Sequence, residues 1–308
     1  MKHFIRIFLV LIPALTSCED FFRTAVKVDP PSYVRGMVVN LYINDSDTTL
    51  WAMVSRNTGS LETVKDRQDL LLPDAVVTLL DEKGDVVLVM DTVTPADSEV
   101  PVNFVYHQDT AFGSNGHRFI LQVTHPDYGM ATAVQTMPHK PEVTHPLFNP
   151  EGGYDDYNGY YGLLSFDIKD PSGEENYYLI RVFVIVPELG YAYFAGITSD
   201  DPLVEVSYDW DALLIKDRTF DGENYPVKLK VSGINYEGDG GIPDNIRVYL
   251  DISAVTKDYY LYDRSLEKAM EASDLGFFVE PVQVYDNVQN GFGIFTLSAR
   301  RKILAGRE

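Results

Sequence analysis

The sequence is short of cysteine, since Cys18 is the single cysteine among 308 residues. One cysteine cannot form an intramolecular disulfide, so the folded part of the chain must be held together by its hydrophobic core. Hydrophobic residues make up 45% of the sequence, with 20 Tyr and 16 Phe among them, which is enough for such a core. If the Cys18 thiol is modified, cysteine nucleophiles and thiolate metal sites are excluded as well.

Positive charge is also scarce. The sequence has 25 Lys and Arg against 46 Asp and Glu, a formal net charge of −21. A surface of this sign repels phosphate backbones and anionic lipid head groups. The composition therefore excludes nucleic acid as a partner, and it predicts no charge attraction to anionic membranes.

A hydrophobic run long enough to cross a membrane is missing near the N-terminus. The apolar stretch Ile5–Leu15 is interrupted by Arg6 and Pro13 and is soon followed by two acidic residues. A membrane-spanning helix needs roughly 20 apolar residues, about twice this length, so the stretch cannot span a bilayer. Together with the positive charge of Lys2, the stretch matches the pattern of a signal peptide.

The end of this stretch, Leu15-Thr16-Ser17-Cys18, resembles a bacterial lipobox. In such signals the cysteine sulfur is acylated and the cysteine becomes the mature N-terminus. The resemblance therefore predicts a signal peptide over residues 1–17 and membrane anchoring through lipidated Cys18. The alternative is that Cys18 is a free thiol near a cleavage site. Residues 18–32 end in Asp29-Pro30-Pro31, and paired prolines favour an extended tether.

The pattern of residues 33–138 predicts a β-sandwich domain of the Ig-like or transthyretin-like type. Short apolar segments alternate with period two, and helical periodicity is missing. Residues 75–80 and 86–90 are joined by the polar, Gly-containing segment 81–85, which is typical of a hairpin. Prolines at positions 138, 141 and 146 then predict a stiff connector over residues 139–146.

Residues 147–308 are predicted to form a second β-rich domain with one amphipathic helix, so the fold class is mainly β. Tyr177–Val186 is apolar at nearly every position, which favours a central strand covered on both faces. Near 255–272 the period changes to three and four residues, which predicts the helix. Ser253 or Thr256 is the expected N-cap, and Gly276 lies just past the expected end. The helix stripe consists of Val255, Tyr259, Tyr262, Leu266 and Met270.

Several short motifs follow one another in order along the chain. In the first half these are the lipobox, Val34-Arg35-Gly36, Pro73–Val77, Arg118–Val123 and Thr136-Met137-Pro138. In the second half they are Asp170-Pro171, Asn176-Tyr177-Tyr178, Asp217, Phe220-Asp221-Gly222 and Tyr260-x-Tyr262. The closing signature is Glu280-Pro281, Asn287 and Gly291-Phe292-Gly293-Ile294-Phe295. Taken in this order, the motifs make the chain resemble an uncharacterised family of Bacteroidota outer-membrane lipoproteins. The departures from the family pattern are Asp286, in place of a small hydroxyl residue, and Thr296-Leu297, in place of a small pair.

The resemblance implies where the protein is located and which protein it accompanies, rather than a particular chemistry. Members are outer-membrane lipoproteins that are typically encoded beside a TonB-dependent receptor and are taken as accessories to uptake. No catalytic residue comes with the resemblance. For the closing signature we expect a structural role, in which Gly291 and Gly293 allow conformations or close approaches that a Cβ forbids and the residues around them form a terminal strand.

No catalytic or cofactor-binding constellation is recognisable in the sequence. The mature histidines are expected on the surface or in loops, and a shared metal site, if there is one, would use His139 and His145. Two acidic loops, Glu237–Asn245 and Asp155–Asn158, offer oxygens to calcium but have the composition of ordinary turns. We predict turns in both places, and we expect no metal and no cofactor.

Two acidic and aromatic segments are the candidate ligand-binding sites. Tyr154, Asp155, Asp156 and Tyr157 lie in a Tyr, Asn and Gly-rich stretch that is typical of binding loops, and a second such segment runs from 208 to 211. From that second segment the candidates are Tyr208 and Trp210. The alternative is that the tyrosines pack inside the domain or at the domain junction.

Three hypotheses of function follow. The first is a lipid-anchored, non-enzymatic accessory of a TonB-dependent barrel receptor, on the periplasmic or surface-exposed face of the outer membrane. The second is a structural or adhesive surface lipoprotein. The third is a surface hydrolase that uses carboxylates such as Asp217, Asp221 or Glu280, which requires two of them across a cleft. We favour the first.

Overall fold

A computed structural model describes residues 33–59, 62–94, 102–113, 115–187, 190–209, 211–234, 245–274 and 282–307. The predicted signal peptide, the tether, Cys18, Trp210 and Gly276 lie outside these ranges, as do Glu280, Pro281 and most of the 237–245 loop. The chain divides into two compact units. The smaller joins Met1–Val34 with Thr58–Thr63, and in it the Glu62 N–H donates to the Gly59 carbonyl. The larger, Arg35–Asn57 with Val64–Glu308, contains every element below.

The described residues form strands, one α-helix and a short 3-10 turn at Arg67–Leu70. The first nine strands are β1 Met37–Asn44, β2 Thr49–Arg56, β3 Val76–Asp81, β4 Val86–Val89, β5 Asp91–Thr92, β6 Phe104–His107, β7 Arg118–His125, β8 Gly129–Thr136 and β9 Glu142–Asp155. The others are β10 Gly159–Lys169, β11 Tyr177–Val186, β12 Tyr191–Thr198, β13 Val204–Val206, β14 Leu213–Lys216, β15 Asn224–Ser232, β16 Arg247–Val255, β17 Phe292–Leu304 and β18 Gly306–Arg307. The helix, α1, is Lys257–Asp274. The prediction of a mainly β fold is confirmed.

A small antiparallel sheet has the strand order β4-β3-β7-β8. It contains the hairpin that the sequence predicts, closed by a turn in which Asp81 Oδ1 accepts the N–H groups of Lys83 and Asp85 at 2.9 Å each. Gly84 lies in this turn at φ +86°, a conformation that favours glycine. The hairpin is therefore specified by its own local chemistry.

The other strands form one mixed sheet, with the order β18-β9-β10-β15-β12-β11-β16-β17-β1-β2-β6-β5 and with β13 and β14 attached beside β11. In this sheet β17 lies between β16 and β1 and runs parallel to β1, with Phe295 opposite Leu41. The sheet thus continues across the predicted connector, and residues 142–146 of that connector begin β9. The division into two domains at this point stays a prediction.

Two large hydrophobic clusters form the core. The first lies between the small sheet and strands β1 and β2, so these two sheets form a sandwich; it includes Val39, Leu41, Val77, Leu79, Leu121 and Phe295. The second is built from β9 to β16 and includes Phe166, Ile180, Val182, Leu229 and Leu250. Period-two alternation supplies the inward residues in both.

Strand β11 is covered on both faces over only part of its length. Tyr177 to Ile180 are all buried, as predicted, but from Arg181 onward every second residue is partly exposed. The reason is a third, smaller cluster, in which Tyr259 and Tyr260 of α1 pack near Tyr177 and Leu179. The helix covers the beginning of the strand, and the residues of that face from Arg181 onward are only partly buried.

Helix α1 begins two residues later than predicted, with Thr256 as its N-cap. The Thr256 hydroxyl accepts the Tyr259 N–H at 3.4 Å, whereas Ser253 lies in β16 and was the wrong alternative. The apolar stripe is interrupted, because Met270 is 44% exposed while Asp263 is fully buried. In the part of the chain that the structure describes, no helix is long and apolar enough to cross a membrane.

The closing glycines have the structural role that the sequence predicts. Gly293 adopts φ +103°, and a Cβ built on it would lie 2.2 Å from the Val39 carbonyl oxygen. This close approach lets β17 pair with β1. Asn287 completes the joint, since its side chain accepts the Phe295 N–H at 2.9 Å and donates to the Phe295 carbonyl at 2.8 Å.

Candidate functional site

The first predicted segment forms the turn between β9 and β10. Asp155 ends β9, and its Oδ1 atom accepts the backbone N–H groups of Tyr157 at 3.1 Å and of Asn158 at 2.6 Å. The Asn158 side chain donates to both carboxylate oxygens of Asp155. Aspartates close turns in this way, so Asp155 shapes the tip of the hairpin.

Asp155 also contacts a cation. Lys230 Nζ lies 3.2 Å from Asp155, 2.9 Å from Asp200 and 5.3 Å from the centre of the Tyr161 ring. Hydrogen bonds from Asn158, with a smaller contribution from Lys230, hold the pKa of Asp155 at about 2. The carboxylate therefore stays ionised at neutral pH and keeps the turn in one conformation.

Three tyrosines of this turn are exposed to solvent. The exposed fractions are 61% for Tyr154, 87% for Tyr157 and 51% for Tyr160, and Asp156 is exposed beside them. The Tyr154 and Tyr160 rings meet edge to face, with centroids 5.1 Å apart. The fold thus presents an aromatic tip, which we call the tyrosine turn (residues 154–160), on a conformation that Asp155 holds.

Tyr208, from the second predicted segment, lies at a different place. It lines a groove of about 390 Å³ on the face of the large sheet that points away from the two large cores, and Trp210 lies outside the described residues. The groove crosses strands β1, β11, β16 and β17 and reaches α1. Its lining includes Tyr42, Arg181, Tyr208, Asp251, Tyr259 and Arg300.

Each arginine of the groove is paired with a carboxylate. Arg300 makes a bidentate ion pair with Asp251, in which Nε donates to Oδ1 at 2.7 Å and Nη2 donates to Oδ2. Arg181 donates to Asp209 and stands 5.5 Å from the centre of the Phe194 ring. A bidentate ion pair of this kind is stronger than one with a single hydrogen bond. Both arginines are therefore fixed in place.

The loop that carries Tyr208 is attached to α1 by a buried aspartate. Asp263 is fully buried and accepts a hydrogen bond from the Ser207 hydroxyl, and Arg264 lies 2.8 Å from its other oxygen. The Ser207 oxygen in turn accepts the Asp209 N–H at 3.1 Å. A buried carboxylate needs such partners to be tolerated, and this one positions Tyr208 over the groove.

The phenols of the groove have raised pKa values. Burial, with Asp209 and Asp263 close by, raises the pKa of Tyr208 to about 12. Tyr42 is 39% exposed. Even so, burial by the residues around it, together with a hydrogen bond with Tyr262, raises its pKa well above the usual value. Burial raises the pKa of Tyr259 in the same direction. All three hydroxyls therefore keep their protons at physiological pH.

A second cluster lies at the beginning of β11, where Asp170, Asp217 and Asp221 bring one oxygen each within 4.8 Å of one another. Asp170 and Asp217 are buried and Asp221 is exposed. In the part of the chain that the structure describes, no other group of three or more acidic, His or Cys side chains meets so closely. Carboxylates at this spacing could share a divalent cation.

Each carboxylate of the cluster also accepts hydrogen bonds from the protein. Asp170 accepts the Tyr178 hydroxyl at 2.5 Å and the Gly222 N–H at 3.0 Å. Asp217 accepts the Asn176 N–H at 2.6 Å, and Asp221 accepts the Gly173 N–H at 2.7 Å. Burial, helped by the two neighbouring carboxylates, raises the pKa of Asp217. The cluster ties two loops together.

A cleft of about 690 Å³ lies beside this cluster, between the connector and the start of α1. Its cations lie against carboxylates, as with Lys169 and Glu142 at 3.1 Å and Lys257 and Glu175 at 3.0 Å. His139 lines this cleft, whereas His145 lies 3.4 Å from Asp167. His125, expected on the surface, is buried in β7.

The residues that the sequence analysis did not single out are mostly charged residues inside apolar strands. Arg181 interrupts the apolar run of β11 and Asp251 that of β16, and the two are register partners. A charged side chain in an apolar strand is the signal that could have found this groove. Asp170 is a part of one family motif, and Asp217 and Asp221 are also candidate carboxylates of the hydrolase hypothesis, but their spacing along the chain does not show that the three meet.

Comparison with known proteins gives a family. The family model described as domain of unknown function DUF4249 matches residues 23–303. No curated protein matches the chain. A solved DUF4785 family protein from Legionella pneumophila is 12% identical, with a TM-score of 0.23 over 71% of this chain and 52% of that chain, so this chain spans about half of that protein's length. Since the model covers most of the sequence, the chain belongs to the DUF4249 family.

Proposed function

We propose that this protein is a lipid-anchored, non-enzymatic accessory of a TonB-dependent receptor and takes part in nutrient uptake at the outer membrane. The family would then be the Bacteroidota lipoprotein family whose motifs the sequence carries. The observation that carries the proposal is the tyrosine turn, where Tyr157 is 87% exposed on a turn that Asp155 holds.

The tyrosine turn has the properties of a contact site for another protein. Tyrosine offers a large, rigid surface and loses little conformational entropy on binding. The hydrogen bonds of Asp155 fix the turn before binding, which lowers the cost of association. Exposed aromatic side chains are also the residues enriched where binding energy is concentrated.

The anchor would come from the lipobox. Acylation of Cys18 would place residues 18–32 between the membrane and the folded chain, with Asp29-Pro30-Pro31 at the end of this tether. A tether of this length reaches roughly 50 Å when extended. This is enough for the folded part to contact the mouth of a barrel in the same membrane, on the periplasmic or the surface-exposed face.

The test is a pull-down of the tagged full-length protein from outer membranes in mild detergent, with partners identified by mass spectrometry. We expect one barrel receptor in near-stoichiometric amount, lost with Cys18→Ala and reduced with Tyr157→Ala. Tyr191→Ala is the matched control, because Tyr191 is 62% exposed at the start of β12, outside the tyrosine turn. Recovery of the lipoprotein alone would contradict the proposal and favour a structural or adhesive role.

A further inference from the structure

The groove around Tyr208 has the size and position of a small-molecule site. Its volume of about 390 Å³ lies within the range of roughly 300–1,000 Å³ that ligand pockets occupy. Strands β1, β11, β16 and β17 contribute most of its lining, and Tyr208 and Tyr259 come from the loop and the helix beside them. The site therefore stands mainly on rigid parts of the fold, which favours precise binding.

The polar side chains of the groove are in place before any ligand arrives. Arg300 is held by Asp251 through two hydrogen bonds, and Arg181 is held by Asp209. The loop between them is fixed by Ser207 and the buried Asp263. Such preorganisation removes part of the entropic cost of binding, because these side chains do not have to be ordered by the ligand.

The charges of the groove disfavour an ionic ligand. An anion would have to take Arg181 or Arg300 away from its carboxylate, and a cation would have to take the carboxylate away from its arginine. Among the described residues of the lining, the other acidic side chain is Asp47, which accepts the Asn44 N–H at 2.8 Å and has a pKa raised by burial. Separating a partly buried ion pair is costly, so a neutral ligand fits best.

Hydroxyl groups and ring faces make up much of the remaining lining. Tyr42, Tyr208 and Tyr259 bring three phenols to the groove, and Ser253 and Ser298 add aliphatic hydroxyls. Because the phenols keep their protons, those of Tyr208 and Tyr259 can donate as well as accept a hydrogen bond. The Tyr42 hydroxyl, which already bonds Tyr262, can still accept one. Ligand hydroxyls require this two-way capacity, and the aromatic rings can pack against C–H surfaces.

From this chemistry we propose that the groove binds a neutral, polyhydroxylated ligand, one or two sugar units of an oligosaccharide. Paired arginines and carboxylates would direct hydrogen bonds to the hydroxyls, and Tyr208 would pack against the sugar ring. The inference deepens the proposed function, because it names the class of nutrient that an uptake accessory would hold. The ligand site and the tyrosine turn are separate places on the molecule.

The test uses the full-length protein purified in lauryldimethylamine oxide, since detergents with sugar head groups would compete. Calorimetry would measure binding of a panel of neutral gluco-, manno-, xylo- and galacto-oligosaccharides. Polygalacturonate serves as the anionic probe, and choline and tetralysine serve as the cationic probes. We expect binding of at least one neutral oligosaccharide and no binding of the charged probes.

The variants connect the binding to the groove. Tyr208→Ala is expected to weaken binding about tenfold, because it removes a ring contact and a hydrogen bond together. Tyr191→Ala, on an exposed tyrosine outside the groove, should bind like the parent protein. If Tyr208→Ala fails to fold by circular dichroism, Tyr208→Phe and Tyr42→Phe keep the rings and should each weaken binding severalfold through loss of one hydroxyl.

Binding of no neutral oligosaccharide at millimolar concentration would overturn the inference. So would binding of a charged probe in preference to the neutral ones, or equal loss of affinity in Tyr208→Ala and Tyr191→Ala. These outcomes are distinct from failure of the proposed function, since calorimetry on the purified protein needs no receptor. The pull-down, in turn, can recover a receptor whether or not the groove binds sugars.

Discussion

At the scale of single residues, the protein places carboxylates where water is scarce and gives each one specific donors. Asp217 is 2% exposed, and Asp263 is not exposed at all. Asp263 has Ser207 and a guanidinium beside it, while Asp217 has one backbone N–H and two neighbouring carboxylates. The two sites therefore predict opposite effects when the negative charge is removed.

Asp217→Asn is expected to leave the protein as stable as the parent at pH 7, or to stabilise it by about 1 kcal/mol. The pKa of Asp217 is raised in the folded protein. The contribution of this carboxyl to the free energy of unfolding is therefore most favourable at acid pH, where it is protonated in both the folded and the unfolded states. It is lost as the pH rises from the unfolded value of 3.8 through the raised folded value. Asparagine keeps an acceptor for the Asn176 N–H and has no charge to desolvate.

Urea unfolding at pH 7.0 and pH 4.5 would check this, with Asp74→Asn as an exposed control. The difference in free energy of unfolding between Asp217→Asn and the parent should be smaller at the lower pH. A variant that is less stable than the parent by more than about 1 kcal/mol at pH 7 would mean that the cluster needs its charge, as it would if it held a cation.

Asp263→Ala is expected to destabilise the protein by about 2–3 kcal/mol. Breaking a buried ion pair costs roughly 3–5 kcal/mol because one charge is left without its partner. Arg264 keeps Glu267 at 2.6 Å, which reduces the loss. Thermal and urea unfolding would measure it, with Asp263→Asn as the comparison, because asparagine still accepts from Ser207. Equal stability of Asp263→Ala and the parent would contradict this account.

At the scale of elements, the place of β17 in the sheet depends on its contacts with the neighbouring strands. Strand β17 pairs with β1 on one side and β16 on the other. The partners of β17 in β1 are distant along the chain: Asn44 of β1 donates to the Ser298 hydroxyl of β17, and 254 residues separate the two. Gly293 permits the approach, and the Asn287 side chain bonds both backbone groups of Phe295. Asn103 bonds Val54 in the same two-way manner at 2.8 and 3.0 Å. Two asparagines thus extend the sheet where the backbone pairing stops.

Gly293→Ala should destabilise the protein by at least about 3 kcal/mol, because the new Cβ would lie 2.2 Å from the Val39 carbonyl oxygen. Gly84→Ala is the matched control. Gly84 also has a positive φ, +86°, but a Cβ there has nothing within 4 Å, so only the backbone strain of about 1–2 kcal/mol is expected. Thermal denaturation of both variants would separate the two causes. Equal losses would show that the close approach to β1 contributes nothing.

At the scale of the whole molecule, the net charge of −21 acts on stability as well as on partners. Like charges repel each other more in the compact state, and salt screens this repulsion. The ion pairs at Lys169 and Lys257 are exposed, and such pairs contribute little. Self-repulsion should therefore outweigh the loss of these pairs.

Raising the NaCl concentration from 10 to 500 mM is thus expected to increase the melting temperature by several degrees. Differential scanning calorimetry at pH 7.5 would measure the shift. A control at pH 4.5, the sequence pI, should show a much smaller effect because the net charge is then near zero. A melting temperature that falls with salt at pH 7.5 would show that local ion pairs dominate.

Some of this structure could be predicted because its causes are local. The β3–β4 hairpin follows from Asp81 and Gly84 in one turn, and α1 follows from its periodicity and the Thr256 cap. The prediction that β11 is covered on both faces was half right, because an apolar run shows that a strand is buried but not how far a helix extends over it. Binding by the tyrosine turn stays a prediction, although its exposure is now seen.

Local patterns in the sequence account for the mainly β class, the hairpin and the helix, since each depends on neighbours a few residues away. The glycines of the closing signature are also visible in the sequence, but the backbone that Gly293 approaches, at Val39, is distant along the chain. Long-range packing places β17 in the sheet beside β1, brings Asp170, Asp217 and Asp221 together, and gathers Tyr42, Tyr208 and Arg300 around one groove. The physical reason is that alternation specifies which face of a strand is buried, whereas the choice of partner strand depends on the packing of the whole chain.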